Sequence, residues 1–133
     1  MITHRTFPPD VASVRAARQF VLAAIGDASA DQRDLVSVMV SELAMNAVEY
    51  ARTRFEVSVE VTGHRLRVEV TDSGGGTVQA QPPPPASSPH GRGLFIVDEL
   101  SDGWGVSPSP GAAGKSVWFA VALRAAADNS SRG

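Results

Sequence analysis

Two adjacent runs of alternating side chains constrain this chain more than any other feature. Phe55, Val57, Val59 and Val61 alternate with Glu56, Ser58, Glu60 and Thr62. After Gly63-His64, Leu66, Val68 and Val70 alternate with Arg65, Arg67, Glu69 and Thr71. A period of two on both sides of a Gly-containing turn predicts an antiparallel hairpin with one dry face. Opposite charges on the wet face, such as Glu60 and Arg67, are expected to pair across it. The dry face has to be covered by a second layer.

Helical patterns upstream supply that layer. Pro8-Pro9-Asp10 makes Asp10 the expected N-cap of a first helix. Its apolar positions are Val11, Val14, Ala17, Val21, Leu22 and Ile25, and Gly26 ends it. A second helix is expected from Ser29 or Asp31 to about Ala51. It is apolar most of the way round, so it is expected to be largely buried. Ile2 to Phe7 reads as a short edge strand. Downstream of the hairpin, residues 73–90 include Pro82-Pro83-Pro84-Pro85 and read as a long loop or lid. LFIVDEL then reads as a short helix that opens after Gly91-Arg92-Gly93. Trp104 to Val106 is a candidate strand, Pro108 to Gly114 a turn, and Lys115 to Leu123 a strongly apolar strand. Helices and hairpin-linked strands in this order predict a two-layer α/β sandwich with a mostly antiparallel, mixed sheet, not a doubly wound parallel one. One domain over 1–123 and a disordered tail over 124–133 account for the 133 residues.

Composition narrows the function. A net charge of −2 argues against a general nucleic-acid binder. The absence of cysteine excludes disulfides, thiolate metal sites and a Cys nucleophile. No apolar run has the length of a membrane span, and MITHRTFPPD lacks the apolar core of a signal peptide, so the expected location is the cytoplasm.

Four local patterns carry possible chemistry. Glu42 and Asn46, four apart, share one helical stripe beside Val38 and Met39. A carboxylate and an amide oxygen there suit a hard cation such as Mg²⁺ and a hydroxyl to be activated. From spacing alone, two polar residues on a half-exposed helix are the commoner case. Asp72-x-Gly74-x-Gly76, at a strand exit, could take an amino group on a flat ring, or be a plain flexible exit. Gly91-Arg92-Gly93 before a helix offers N–H groups and positive charge to a phosphate, or is a plain junction. Gly114-Lys115-Ser116 is not a P-loop: position 109 is Ser109, and a strand follows where a helix is required. His4, His64 and His90 are too scattered for a zinc site. Trp104 and Trp118 read as core or interface.

The order of these patterns carries more than any one of them. SELAMNAVEYA, VEVTDSGGG, GRGLFIVDELSDGWGV and GKSVWFAVAL, taken together, resemble the GHKL (Bergerat-fold) ATP-binding superfamily. Their wording is similar to the anti-sigma factor serine/threonine kinases of the RsbW and SpoIIAB type abundant in actinobacteria. The resemblance spans roughly Phe7 to Leu123. It implies a histidine-kinase-like ATPase fold and Mg²⁺ and ATP as cofactors. By the same resemblance, Glu42 is the general base and Asn46 the Mg²⁺ ligand. Asp72 reads the adenine amine, with Gly74 and Gly76 yielding to the ring. Gly91, Arg92, Gly93 and Leu94 belong to the phosphate-closing glycine box, and Ser116 stands where a threonine usually helps bind adenine through water. The implied activity is phosphorylation of a serine on an anti-anti-sigma (STAS) partner, in competition with a sigma factor, with a homodimer as the working form. The alternatives are an ATP-binding regulator without phosphoryl transfer and a structural protein that binds no nucleotide. The lid departs from the family in carrying no Lys or Arg before Arg92, and Phe95 stands where some members have Gly.

Overall fold

The computed structural model describes residues 2–72, 89–108 and 114–123, without the side chains of residues 50, 51, 89–94 and 108. The elements follow as β1 (Ile2–Phe7), α1 (Ala12–Ile25), α2 (Ala30–Asn46), a π-helical turn (Ala47–Ala51), β2 (Phe55–Thr62), β3 (Arg65–Asp72), α3 (Pro89–Leu100), β4 (Gly103–Pro108) and β5 (Lys115–Ala122). The five strands form one sheet in the order β1-β2-β3-β5-β4, and every pairing is antiparallel. The two-layer sandwich is as expected, but the sheet is wholly antiparallel where the sequence allowed a mixed one. The expected 73–90 lid and 124–133 tail fall outside the described residues, except that α3 already begins at Pro89.

The hairpin forms as its alternation requires. Val57 faces Val70, Val59 faces Val68 and Val61 faces Leu66, while Gly63 takes φ 60° in the turn. Glu60 and Arg67 are register partners, but no ion pair joins them. Arg67 instead pairs with Glu69, two residues along its own strand, at 3.2 Å, and stacks on Trp118 at 4.8 Å. Stacking covers the guanidinium stem as well as the charge, which a cross-strand pair would not.

The dry face of β2, β3 and β5 packs against the helices. Phe55, Val57, Val59, Leu66, Val68, Phe119 and Val121 share one core with Val14, Ala17, Val21, Met39, Val40 and Leu43. Each large side chain fully buried in this way contributes about 1.5–3 kcal/mol. Phe7, Phe20 and Phe55 close one end, with centroids 5.6 Å apart in the stacked pair and 6.1 Å in the edge-on pair.

α1 and α3 both pack against α2, which lies between them. α2 is less enclosed than its composition suggests: Leu35 and Val38 are 39% and 41% exposed. One sheet and two flanking helices cannot surround it. Ser29 caps α2 by accepting the Gln32 N–H at 3.3 Å. Asp10 acts one position earlier than expected. It accepts the Ala12 N–H at 3.2 Å, while the residue at the cap itself is Val11.

Candidate functional site

The position of the site follows from how α2 is anchored. Gln32, in its first turn, donates to the carbonyl of Ala122, the last residue of β5, at 2.6 Å. A helix rises about 1.5 Å and a strand about 3.3 Å per residue, so Gln32 to Asn46 covers about 21 Å and Ala122 to Lys115 about 23 Å. Asn46 therefore stands at the Lys115 end of the sheet. The π-helical turn packs on β3, and the link after it delivers the chain to Phe55, the register partner of Asp72. The end of α2, the end of β3 and the start of β5 thus meet.

α3 adds its first turn to the same place. Its last residue, Leu100, lines a cleft of about 220 Å³ with Gln32, Leu35 and Val36 from the start of α2. The two packed helices therefore run in opposite senses, and α3 begins near the end of α2. The cleft itself lies at the other end of the molecule from Asp72.

Glu42 and Asn46 are both half-buried. They border the buried stripe of Val36, Met39, Val40, Leu43 and Ala44 without belonging to it. An amide oxygen one turn from a carboxylate is a hard-oxygen donor set. That set fits Mg²⁺, which takes one or two protein oxygens and completes its shell with water and phosphate.

Asp72 is the most enclosed charged group of the site, at 6% exposure. Its Oδ1 accepts the Lys115 backbone N–H at 3.2 Å, and its Oδ2 accepts from Lys115 Nζ at 3.1 Å. Burying a carboxylate costs several kcal/mol unless donors meet it, and these two do. Gly114 lies directly against it. A Cβ at that position would collide with the Asp72 carbonyl oxygen and sit 2.9 Å from Oδ1.

The structure separates Ser116 from this cluster. Thr71 and Ser116 are register partners, and their hydroxyls lie 2.8 Å apart. They share the sheet face of Glu69 and Trp118, whereas Asp72 shares the helix-covered face of Val70, Val117 and Phe119. Alternation leaves no other outcome: adjacent residues on a strand point to opposite faces. The hydroxyl expected to help Asp72 is therefore on the far side of the sheet. The residue that joins Asp72 is Lys115, which sequence reading passed over once the P-loop was rejected. The signal was available, since Lys115 is in phase with Val117, Phe119 and Val121.

Gly91, Arg92, Gly93 and Leu94 fall within α3 and do not precede it. Proline at the first helical position explains the earlier start, because its missing N–H belongs to a turn that has no acceptor for it. Gly91 still lies in the first turn, whose N–H groups have no intrahelical partner, while Gly93 is deeper. Gly74 and Gly76 lie outside the described residues. Trp104 packs against the core and donates to Asp98 Oδ1 at 2.8 Å, so it is a structural residue.

Comparison with known proteins bears on this arrangement. Two similar solved structures are the RsbU and RsbW domains of Rv1364c from Mycobacterium tuberculosis and the catalytic domain of the histidine kinase ThkA. The first has a TM-score of 0.68 and 24% identity, covering 95% of this chain and 33% of that one. This chain thus spans about a third of that neighbour's length. The second has a TM-score of 0.50 and 17% identity, covering 90% of this chain and 95% of that one. Both likenesses establish the fold. No curated protein matches the chain. Among the described residues, no helix is long and apolar enough to cross a membrane. The model of the histidine kinase-like ATPase domain matches residues 7–121, which takes in every element from the end of β1 to β5, and the chain belongs to that family.

Proposed function

We propose that the protein binds Mg²⁺-ATP at the Asp72 end of the sheet and transfers the γ-phosphoryl group to a serine of an anti-anti-sigma (STAS) partner. A sigma factor would compete for the same domain, so the phosphorylation state of the partner would control transcription. What supports this reading is that the end of α2 that carries Glu42 and Asn46 and the strand end that carries Asp72 lie toward the same end of the sandwich, in a chain of the histidine kinase-like ATPase family. The likeness to the RsbW domain structure supports the anti-sigma assignment. A homodimer in the cytoplasm, with no contact to nucleic acid or membrane, completes the reading.

Phosphoryl transfer needs positioning and charge neutralisation more than covalent chemistry. Asp72 accepts the adenine amine and fixes the base, with Gly74 and Gly76 leaving room for the ring. Asn46 would hold Mg²⁺ through its amide oxygen, and the ion would supply neutralisation of phosphate charge. The first turn of α3 turns its N–H groups toward the phosphates, with Arg92 as a further cation. Glu42 accepts the proton of the attacking serine hydroxyl as the phosphorus–oxygen bond forms and ADP leaves.

The test incubates the protein with radiolabelled ATP and a candidate STAS protein. Label is expected on a partner serine, and Glu42→Ala is expected to lower the rate by about 10²–10⁴-fold with nucleotide affinity retained. Transfer that survives Glu42→Ala would remove the base assignment. ATP binding with no labelled partner would leave a nucleotide-dependent binding module. A melting temperature unmoved by Mg²⁺-ATP would remove nucleotide binding itself, since ligand at 100 times Kd stabilises by about 2.7 kcal/mol.

A further inference from the structure

We propose that Lys115 reads the nucleotide base together with Asp72, and that the pair accepts a 6-keto purine as well as a 6-amino one. The proposal rests on the nucleotide-binding reading above and goes beyond it to base selectivity.

A carboxylate only accepts hydrogen bonds. Asp72 alone would welcome the adenine amine and repel a 6-keto oxygen, because two acceptors would then face each other. Sites that depend on a single such complementarity reject the wrong group strongly. Asp72 is not alone. Lys115 Nζ stands 3.1 Å from its Oδ2, on the same covered face of the sheet. The Lys115 side chain is 41% exposed against 6% for Asp72. A ligand group bound at the carboxylate is thus within reach of the more exposed ammonium beside it.

An ammonium has three donors, and the contact with Asp72 uses one. The cluster thus presents an acceptor and spare donors side by side. A base with an amine can give its hydrogen to Asp72. A base with a keto oxygen can take a hydrogen from Lys115 Nζ and give its ring N–H to Asp72. The backbone cannot retreat to break the pair. The Lys115 N–H is held on Oδ1, and Gly114 leaves no space between β5 and the Asp72 main chain. Only the four-carbon stem is mobile, so Lys115 can shift between the carboxylate and a ligand while its Cα stays fixed.

The experiment measures Mg²⁺-ATP and Mg²⁺-ITP affinities of the full chain by calorimetry, for wild type, Lys115→Met and Lys115→Arg. Wild type is expected to bind ITP within about tenfold of ATP. Lys115→Met is expected to raise the ratio of ITP Kd to ATP Kd by about tenfold or more, the scale of one hydrogen bond to a charged group. Lys115→Arg, which keeps a charged donor, is expected to hold the wild-type ratio. A general loosening of the site would weaken both nucleotides together and leave the ratio unmoved, which overturns the proposal. Wild-type discrimination against ITP above about a thousandfold also overturns it, whether or not Lys115→Met folds. Wild type that binds ATP but not ITP sinks this inference alone, whereas binding of neither nucleotide removes the parent reading with it.

Discussion

The two ends of the α2–β5 stack do different work with the same elements. At the Ala122 end, side chains and loops serve the main chain. Gln32 donates to the Ala122 carbonyl at 2.6 Å, Asp102 accepts the Ala122 N–H at 2.8 Å, and the Leu123 N–H reaches the His64 carbonyl at 2.6 Å. At the Asp72 end, the charged side chains of Asp72 and Lys115 meet each other, and the half-buried Asn46 ends the helix that points toward that end. The first end satisfies backbone groups that the edge of a sheet would otherwise leave open. The second collects a buried carboxylate, its ammonium partner and half-buried polar groups, the setting expected of the proposed nucleotide site.

Substitutions at the two ends should therefore separate stability from ligand affinity. The largest effect is expected for Gly114→Ala, whose methyl group would meet backbone that cannot give way. A stability loss of about 2 kcal/mol or more in urea denaturation is expected, together with loss of Mg²⁺-ATP affinity. An unchanged midpoint would show that β5 can slide away from Asp72. Next in size is Gln32→Ala at the other end. It should cost about 1 kcal/mol in the same measurement and leave nucleotide affinity alone. A loss of affinity there would erase the distinction between the ends. The smallest effect is expected for Ser116→Ala, about 0.5 kcal/mol from the lost Thr71 bond, with ATP affinity unmoved. Weakened ATP binding by that variant would restore the hydroxyl to the site.

Most of the fold was legible because alternation and helical spacing are direct records of which face is dry. Val57, Val59, Val68 and Val70 announced the hairpin, and Ile2–Phe7 emerged as the expected edge strand. α2 misled on burial because an apolar circumference says nothing of how many neighbours exist to cover it; Leu35 and Val38 stay 39% and 41% exposed. The candidate site was half legible. Glu42, Asn46 and Asp72 stood out as polar residues in apolar or strand-end settings: the first two are half-buried on α2, and Asp72 is buried at the end of β3. Ser116 was chosen for its hydroxyl, a chemical likeness that ignored strand parity. Lys115 was missed because its neighbours spelled a motif that failed, and rejecting the motif discarded the residue. The start of α3 could not be fixed from Gly91 and Gly93, since glycine disfavours helix without forbidding it, and Pro89 set the boundary.

The open face of the sheet holds a second close fit. Trp118 lies across Gly105 of the neighbouring strand, where a Cβ would come within 2.7 Å of the indole nitrogen, and Arg67 covers the ring at 4.8 Å. Among the described residues, this face is thus ordered by its own side chains and by no helix.

The π-helical turn between Asn46 and Arg52 has a consequence for how the chain tolerates change. It spends one more residue per turn than an α-helix would, and Arg52 then takes φ 57° to leave it. A chain one residue shorter over Ala47–Ala51 would close the same turn as an α-helix and leave it in nearly the same direction, because a π-turn is an α-turn that holds one extra residue. Relatives are therefore expected to differ by one residue in length here without a shift in β2, provided a small apolar side chain keeps the buried place of Ala47.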